Sequence, residues 1–189
     1  MNIFRCDLCP RNCRINRTKG IGFCKADDKI KISWLGHHFG EEPPISGPSR
    51  LRRSRGGSGT IFFSNCNLKC VFCQNWQISQ ECHSCETVSE LQLPEMMLKL
   101  QEEGALNINL VSPTVWSYWL KKVIITAKKK GLKIPIVWNT NGYEKTETLK
   151  ELEGLVDIYL PDYKYDNEKL AIKYSSAPGY PEVARKAIL

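Results

Sequence analysis

The sequence contains no long apolar run. No stretch approaches the roughly 18 to 20 apolar residues of a membrane-spanning helix, and the first residues, MNIFRCDLCPRNC, lack the charged-then-apolar order of a secretion signal. No repeat of fixed period is present either. With 189 residues, of which 42% are hydrophobic and 25% charged, the chain is typical of one globular core. We therefore expect a cytoplasmic protein with no membrane partner.

The cysteines do not form an even set, as a secreted disulfide framework would require. There are nine of them, and no secretion signal precedes them. They occur in three groups: Cys6, Cys9, Cys13 and Cys24; Cys66, Cys70 and Cys73; and Cys82 with Cys85. This distribution favours reduced thiolates that bind metal.

The net charge of +7 raises the question of a nucleic-acid partner, and the densest basic run is SRLRRSR at 49–55. The other lysines are spread along predicted helices. Lys128, Lys129 and Lys130 directly precede Gly131, where cations commonly lie at the end of a helix. A nucleic-acid partner is therefore not the expected one.

The chain divides near residue 58. Residues 1–58 are rich in cysteine, proline and glycine with little periodicity, and we interpret them as a metal-binding segment and loop. In 59–189, helical patterns that stop at Gly104, Gly131 and Gly154 alternate with four apolar runs, namely TIFFS (60–64), NINLV (107–111), KIPIVW (133–138) and VDIYL (156–160). This alternation predicts βαβ units around a parallel sheet.

Polar or thiol-bearing residues follow all four predicted strands. In chain order they are the cysteines at 66, 70 and 73, then Ser112-Pro113-Thr114, then Asn139-Thr140-Asn141-Gly142, then Asp162 and Lys164. Because the carboxyl ends of parallel strands meet at one edge of a sheet, these residues are expected to surround a single site.

The loop with Cys66, Cys70 and Cys73 has three thiols rather than four. Iron-sulfur clusters are held by cysteine thiolates, normally one for each iron. Three thiolates on a four-iron cluster would leave one iron open for a substrate or cofactor. A zinc site completed by a distant Cys or His is the alternative, although zinc loops typically begin with two cysteines two to four residues apart.

The stretch CNLKCVFC resembles the signature of the radical SAM superfamily. Other stretches are similar to the subgroup akin to pyruvate formate-lyase-activating enzymes: HHFGEEPPISG, GSGTIFFSNCNLKCVFCQNWQIS, NINLVSPT, IPIVWNTNGYE and VDIYLPDYKYD. The similarity extends from about residue 5 to 180. It implies an α/β fold, a partial (β/α) barrel of the radical SAM type with about four βα units and a small cysteine-rich N-terminal metal-binding segment.

The resemblance also implies an activity. Cys66, Cys70 and Cys73 would hold a 4Fe-4S cluster whose open iron binds S-adenosyl-L-methionine. An electron from a donor such as flavodoxin or ferredoxin would cleave that cofactor to methionine and a 5'-deoxyadenosyl radical. The radical would then abstract hydrogen from a glycyl-radical enzyme, another protein or a small molecule.

Further cofactor contacts follow from the same resemblance. Phe72 is expected near the adenine and Asn139 within hydrogen-bonding reach of the cofactor. Asp162 and Lys164 would bind its ammonium and carboxylate. A packed aromatic for Phe72 and an ion pair between Asp162 and Lys164 are the alternatives. The residues 112–114 stand where the family usually has Gly-Gly-Glu, so direct contact from that loop is not expected.

The remaining cysteines suggest separate roles. Cys6, Cys9, Cys13 and Cys24 can satisfy a tetrahedral metal completely, which predicts a closed structural site for zinc or an auxiliary iron-sulfur cluster. Cys82 and Cys85 are interpreted as two free thiols, with a redox pair or a half-site shared with another chain as alternatives. His37 and His38 are expected in a loop and not as ligands.

A second function remains open because only four strand-helix units are visible, whereas the radical SAM core usually has six. The chain stops at PEVARKAIL, where a further helix begins. We expect either a fragment of a longer protein or a shortened relative. The alternative function is a catalytically silent iron-sulfur or zinc protein that serves as a binding module for a protein or nucleic acid.

Overall fold

The computed structural model of the chain describes residues 1–48 and 56–189; the basic run at 49–55 lies outside the described residues. The strands are β1 (Lys31–His38), β2 (Ser58–Phe63), β3 (Glu86–Thr87), β4 (Ile108–Val111), β5 (Ile136–Thr140) and β6 (Ile158–Pro161). The helices are α1 (Pro43–Ser46), α2 (Trp76–Ser79), α3 (Gln92–Glu102), α4 (Ser117–Lys129), α5 (Thr146–Lys150), α6 (Glu168–Ser175) and α7 (Tyr180–Ile188). A short 3-10 helix, Thr114–Trp116, precedes α4.

The strands form one six-stranded sheet in the order β3-β1-β2-β4-β5-β6. The strands β2, β4, β5 and β6 run parallel to their neighbours, which confirms the predicted parallel sheet. The first strand is antiparallel to both β2 and β3. The fold is therefore mixed α/β, and it is consistent with a partial (β/α) barrel.

The strand β1 was not predicted, and His37 and His38 lie on it instead of in a loop. Its pairing with β2 has an irregularity between Ile32 and Trp34. As a result Ile32 and Leu35, which are three residues apart, both pack into the same core. A bulge of this kind breaks the two-residue alternation by which a strand is recognised in a sequence.

The helices α3 and α4 cover one face of the sheet, which we call the helix face. Leu93, Met97 and Leu100 of α3 and Leu120 and Ile124 of α4 pack there, against Ile61, Leu110 and Trp138 of the strands. Alternation along the strands places Phe62, Asn109 and Asn139 on the opposite face, which we call the second face. Gly104 and Gly131, just past these helices, have φ of 90° and 104°, as the predicted helix stops require.

The first thirty residues pack directly on this core. Arg17 is 2% exposed, and its guanidinium donates hydrogen bonds to the backbone oxygens of Asp27 and Val115. The same guanidinium lies 5.0 Å from the ring centroid of Trp116 and 4.7 Å from that of Trp119. The cysteine-rich segment is therefore fastened to the connection that leads from β4 into α4. None of the helices in residues 1–48 and 56–189 is long and apolar enough to cross a membrane.

Candidate functional site

The three-cysteine loop follows β2, and each of its sulfurs has a hydroxyl or amide partner from another part of the chain. The Cys66 sulfur accepts a hydrogen bond from Asn141 Nδ2 at 3.3 Å. The Cys70 sulfur accepts one from Ser175 Oγ, at the end of α6, at 2.8 Å. The Cys73 sulfur lies 3.3 Å from Ser79 Oγ on α2. Three separate elements therefore converge on one thiol cluster.

The thiols of this loop also interact electrostatically. The pKa of Cys66 is raised to about 12, mainly by burial, and the neighbouring Cys70 and Cys73 contribute to that rise. Burial likewise raises the pKa of Cys70, while the Ser175 hydrogen bond and the positive charge of Lys164 oppose that rise. Thiolates this close repel one another, so a cation that bound them would stabilise their deprotonated form.

The residue that reaches the loop from the exit of β5 is Asn141. Besides its bond to the Cys66 sulfur, its amide donates to Asn67 Oδ1 at 2.8 Å, and Asn67 Nδ2 donates to the Tyr143 backbone oxygen at 2.7 Å. Asn139, which was predicted to contact the cofactor, lies on β5 paired with Val111 and Leu160. Nothing in the sequence Asn139-Thr140-Asn141 distinguishes the two asparagines.

Glu144 joins two of the strand exits, and sequence reasoning missed it. Its Oε1 accepts hydrogen bonds from Thr114 Oγ1 at 2.7 Å, Trp138 Nε1 at 3.0 Å and Thr140 Oγ1 at 2.6 Å. The residue is only 2% exposed, and burial raises its pKa against the effect of these hydrogen bonds. The connections after β4 and β5 are thus held together by one buried carboxyl group.

At the exit of β6, the two predicted cofactor contacts Asp162 and Lys164 form an ion pair with each other. Lys164 Nζ lies 2.7 Å from Asp162 Oδ2, so the ion pair that the sequence left open is present. Tyr180 of α7 holds this exit, because its hydroxyl lies 2.7 Å from the Asn141 backbone oxygen and accepts a hydrogen bond from the Lys164 amide at 2.9 Å. Phe72 is 56% exposed beside Tyr165, and is therefore not a packed core aromatic.

The four N-terminal cysteines surround one small cavity of about 10 Å³, lined also by Arg11 and Arg17. Burial raises the pKa of Cys9 and of Cys24, and the other thiols of the group raise both further. This segment contacts the three-cysteine loop twice: Arg11 Nε donates to the Asn67 backbone oxygen at 2.9 Å, and Asn65 Nδ2 donates to the Cys24 backbone oxygen at 3.1 Å.

Cys82 and Cys85 form a disulfide, so the interpretation as two free thiols was wrong. Cys82 and Ser84 both have positive φ, 56° and 54°, and this local turn brings the two sulfurs together. Across 1–48 and 56–189, no group of three or more His, Cys, Asp or Glu side chains stands in an arrangement that could hold a metal ion.

The fold and the site together define a class of protein: a mixed α/β chain in which the first strand of the parallel sheet, β2, leads into a loop with three cysteines. The sequence model of the Radical SAM superfamily matches residues 60–188. The chain belongs to the radical SAM superfamily.

Two curated relatives are uncharacterized proteins of Methanocaldococcus jannaschii. MJ0674 is 34% identical over an alignment 195 residues long, which covers 98% of this chain and 53% of that protein. MJ0808 is 27% identical over 161 residues, which cover 80% of this chain and 47% of that protein. The chain thus spans about half the length of the curated relatives it matches.

The family generally uses a 4Fe-4S cluster and S-adenosylmethionine, and the donor set here suits such a cluster. Iron-sulfur clusters take thiolate ligands, and their properties depend on hydrogen bonds to the sulfurs. Cys66, Cys70 and Cys73 would provide three such ligands, and each has a hydrogen-bonding neighbour. The residues present therefore fit the group in their chemistry.

Proposed function

We propose that the chain is a radical S-adenosylmethionine enzyme in which Cys66, Cys70 and Cys73 hold a 4Fe-4S cluster. The observation that carries this proposal is that three side chains, Asn141, Ser175 and Ser79, each form a hydrogen bond with a different sulfur of the loop that follows β2. When bound, the cluster and cofactor would supply reductive cleavage of S-adenosylmethionine to methionine and a hydrogen-abstracting radical. The chain's own part is to bind, orient and exclude competing reactions.

The individual residues take distinct parts in this proposal. Asn141 fixes the orientation of Cys66 and of the loop residue Asn67. Lys164, 22% exposed and close enough to lower the pKa of Cys70, places a positive charge beside the thiolates. Asn139 and Phe72 remain proposed cofactor contacts. Asp162 would have to leave its ion pair with Lys164 to take up the cofactor's ammonium group.

The finer assignment rests on similarity to pyruvate formate-lyase-activating enzymes. We propose an activating-enzyme-like oxidoreductase that receives electrons from a flavodoxin or ferredoxin and acts on a glycyl-radical enzyme, another protein or a small molecule. The activity, substrates and partners of the whole protein are proposals in the same sense.

The direct test is formation of 5'-deoxyadenosine. The chain is reconstituted anaerobically with iron and sulfide, reduced with dithionite and supplied with S-adenosylmethionine, and the product is measured by mass spectrometry. We expect product from the wild type and loss to background in Cys70→Ala, because the cluster loses a ligand. A Cys82→Ala, Cys85→Ala double variant is the matched control and should keep its product, since that disulfide lies outside the three-cysteine loop.

If the fully iron-loaded wild type gave no product, the proposed enzymatic activity would be refuted. The competing function is a silent iron-sulfur or zinc binding module. Its iron-sulfur form is separated by the product assay, and its zinc form by metal analysis: iron with sulfide on the three-cysteine loop together with product supports the enzyme, whereas zinc alone supports the binding module.

We also propose that Cys6, Cys9, Cys13 and Cys24 bind a metal in a closed structural site. Their common cavity of about 10 Å³ is roughly the space of one water-sized sphere, which suits a single zinc ion better than a four-iron cluster. Two hydrogen bonds connect this segment to the residues on either side of Cys66. A metal bound to the segment would therefore stabilise the three-cysteine loop as well.

The N-terminal metal is tested by metal content. In Cys13→Ser, whose cysteine is only half-buried, we expect about one equivalent of zinc to be lost while iron loading at the three-cysteine loop persists. Cys9→Ser should behave in the same way. Zinc retained in both variants would contradict the proposal, and loss of iron in place of zinc would show an auxiliary cluster.

A further inference from the structure

Three aromatic rings gather on the second face of the sheet, two from β1 and one from β2. The ring centroids of Trp34 and Phe62 are 5.8 Å apart, those of His38 and Phe62 5.7 Å, and those of Trp34 and His38 6.2 Å, all edge-on. Trp34 is 44% exposed, so the group is open to an incoming molecule. We call these three residues the aromatic cluster.

Two glycines make room for the cluster. After the irregularity in β1, Trp34, Gly36 and His38 pair with Phe62, Thr60 and Ser58 and so share one face. A Cβ at Gly36 would stand 3.0 Å from two ring atoms of Trp34, and one at Gly40 would stand 2.8 Å from Cε1 of His38. Larger residues at these two positions would displace the rings, so the backbone fits the cluster closely.

A carboxylate closes one side of the cluster. Glu41 Oε1 lies 3.7 Å from His38 Nδ1 and accepts a hydrogen bond from Asn109 Nδ2 at 3.2 Å. The Glu41 side chain is 17% exposed. Within the two described ranges, His38 is the one ionisable side chain that lies within ion-pair distance of it. The carboxylate is therefore held in place with no Lys or Arg of those ranges to neutralise it.

Two polar atoms beside Glu41 are buried without a hydrogen-bond partner among the described residues. They are His38 Nδ1 and Asn109 Oδ1, and Asn109 itself is 0% exposed. An unsatisfied buried carbonyl oxygen costs free energy, because it has lost its hydrogen bonds to water without replacement. A ligand that brought an N–H donor to this position would remove that cost, so the unpartnered oxygen indicates what kind of group the site accepts.

The chemistry of these groups selects a cation. Aromatic rings attract an ammonium or guanidinium, a carboxylate makes charge-assisted hydrogen bonds with either, and a free amide oxygen accepts one more N–H. An anion would meet repulsion from Glu41. This local preference runs against the charge of the chain as a whole, which is +7.

The site lies on the same sheet face as residues near the three-cysteine loop. Phe62 pairs with Val111, which pairs with Asn139 at the exit of β5. Phe62 also precedes Cys66 by only four positions. Thr60 and Asn109 form the next pair away from that edge. A molecule anchored at Glu41 could therefore extend along this face toward the strand ends.

We propose that Glu41, Asn109 and the aromatic cluster bind a positively charged, N–H-donating group of the substrate, an ammonium or a guanidinium. The word substrate rests on the proposed function; the binding of a cation does not.

The test is direct binding to the unreduced chain, which requires no turnover. Pentylamine and butylguanidine serve as cationic probes, 1-hexanol as the uncharged probe and hexanoate as the anionic one, all titrated by calorimetry. We expect both cations to bind and the other two not to. In Glu41→Gln the cation affinity should fall about tenfold, the factor that corresponds to roughly 1.4 kcal/mol.

The neighbouring residue provides a matched control. His37 Nε2 lies 3.6 Å from Glu103 Oε2, a second histidine-glutamate pair at the same strand. Glu103→Gln removes the same charge from this other pair and should change the affinity less than twofold. Trp34→Leu, at a half-exposed position, should weaken the binding of both cations severalfold because the ring is lost.

Equal binding of hexanol and pentylamine, or equal effects of Glu41→Gln and Glu103→Gln, would overturn the proposal. A comparison of N-acetyl-lysine methylamide with pentylamine then shows whether the natural cation belongs to a protein or to a small molecule. Tighter binding of the capped lysine indicates a peptide side chain, and tighter binding of pentylamine indicates a small molecule. Because no step uses reduction or S-adenosylmethionine, failure here is separate from failure of the radical chemistry.

Discussion

At the scale of single residues, hydrogen bonds to the cysteine sulfurs determine how the three-cysteine loop would influence a bound cluster. Asn141, Ser175 and Ser79 each approach a different cysteine sulfur, and Ser175 comes closest at 2.8 Å. A donor directed at a cluster thiolate stabilises the extra negative charge of the reduced state, so it raises the reduction potential. These three residues therefore make electron entry easier in the proposed enzyme.

Removing such a donor should lower the reduction potential. For Ser175→Ala we expect a decrease of about 20–60 mV, the one-electron equivalent of roughly 0.5–1.5 kcal/mol for one hydrogen bond. Asn141→Leu should act in the same direction with a smaller effect, since its contact is longer. The measurement is a redox titration of the iron-loaded chain followed by electron paramagnetic resonance.

Ser117→Ala is the matched control for this titration. Ser117 is also a buried serine, but it lies on α4, and its hydroxyl has no partner among the described residues. Its removal should leave the potential unchanged. An unshifted potential in fully loaded Ser175→Ala would show that the 2.8 Å contact does not affect the cluster.

Sequence reasoning could identify the thiols but not their hydrogen-bonding partners. The spacing of Cys66, Cys70 and Cys73 is local, and local spacing can be read directly from a sequence. Asn141 and Ser175, in contrast, come from positions 75 and 105 residues further along the chain. Only the folded connections after β5 and around α6 bring them to the loop, and a serine at the end of a helix is otherwise unremarkable.

At the scale of elements, Glu144 connects the loops that follow β4 and β5. Glu144 itself lies in the connection after β5. Of its three hydrogen-bond donors, Thr114 lies in the connection after β4, whereas Trp138 and Thr140 lie on β5. Its other oxygen, Oε2, is buried without a partner among the described residues. The site's geometry thus depends on a carboxyl group whose charge is poorly solvated.

The stability of the fold should therefore carry a pH dependence from Glu144. Because burial raises its folded pKa above the ordinary 4.5, the folded chain keeps a proton that the unfolded chain has lost. The unfolding free energy then falls as pH rises from about 4.5 through the folded pKa. The Glu144→Gln side chain cannot ionise and keeps an oxygen acceptor. The melting temperature of this variant, relative to that of the wild type, should therefore increase as pH rises.

Thermal unfolding by near-ultraviolet circular dichroism at several pH values between about 5 and 8 measures this difference. Glu147→Gln, at an exposed position on α5 nearby, is the control and should follow the wild type. If the melting temperatures of Glu144→Gln and of the wild type changed with pH in the same way, Glu144 would not be the cause of the pH dependence.

The elements also show where periodicity succeeds and where it fails. The strands β2, β4, β5 and β6 were predicted because each lies in an apolar run of the kind that buried parallel strands have. In the structure β6 is nevertheless largely exposed. The strand β1 was missed, since the irregularity after Ile32 puts Ile32 and Leu35 on one face and breaks the alternation. The aromatic cluster and its carboxylate could not be foreseen without that strand.

At the scale of the whole molecule, the cysteine-rich segment and the following core share one hydrophobic cluster. Ile3 and Leu8 belong to the same buried cluster as Ile61 and Leu110. The strand β1 pairs with β2, whose other edge pairs with β4. The fold class could be predicted from the sequence, but this shared core could not, because its N-terminal part has no regular period.

We expect the two parts to unfold together. Separating them would expose the apolar surface of Ile3, Leu8 and Ile32 and leave the buried guanidinium of Arg17 without its acceptor on Val115, which would be costly. Tryptophan fluorescence, which reports on the core, and pulsed thiol labelling of Cys13 and Cys24, which reports on the N-terminal segment, should therefore give the same midpoint in a denaturant titration.

Metal binding provides the sharper form of this prediction. A ligand that binds only the folded state stabilises everything that unfolds cooperatively with its site. If the N-terminal cysteines hold zinc, a chelator should lower both midpoints equally, and the core fluorescence should respond although it lies outside the metal site. A chelator that shifted the labelling of Cys13 and Cys24 and left the fluorescence midpoint unchanged would show instead that the segment opens independently, and that its contacts at Asn65 and Asn67 are too weak to steady the three-cysteine loop.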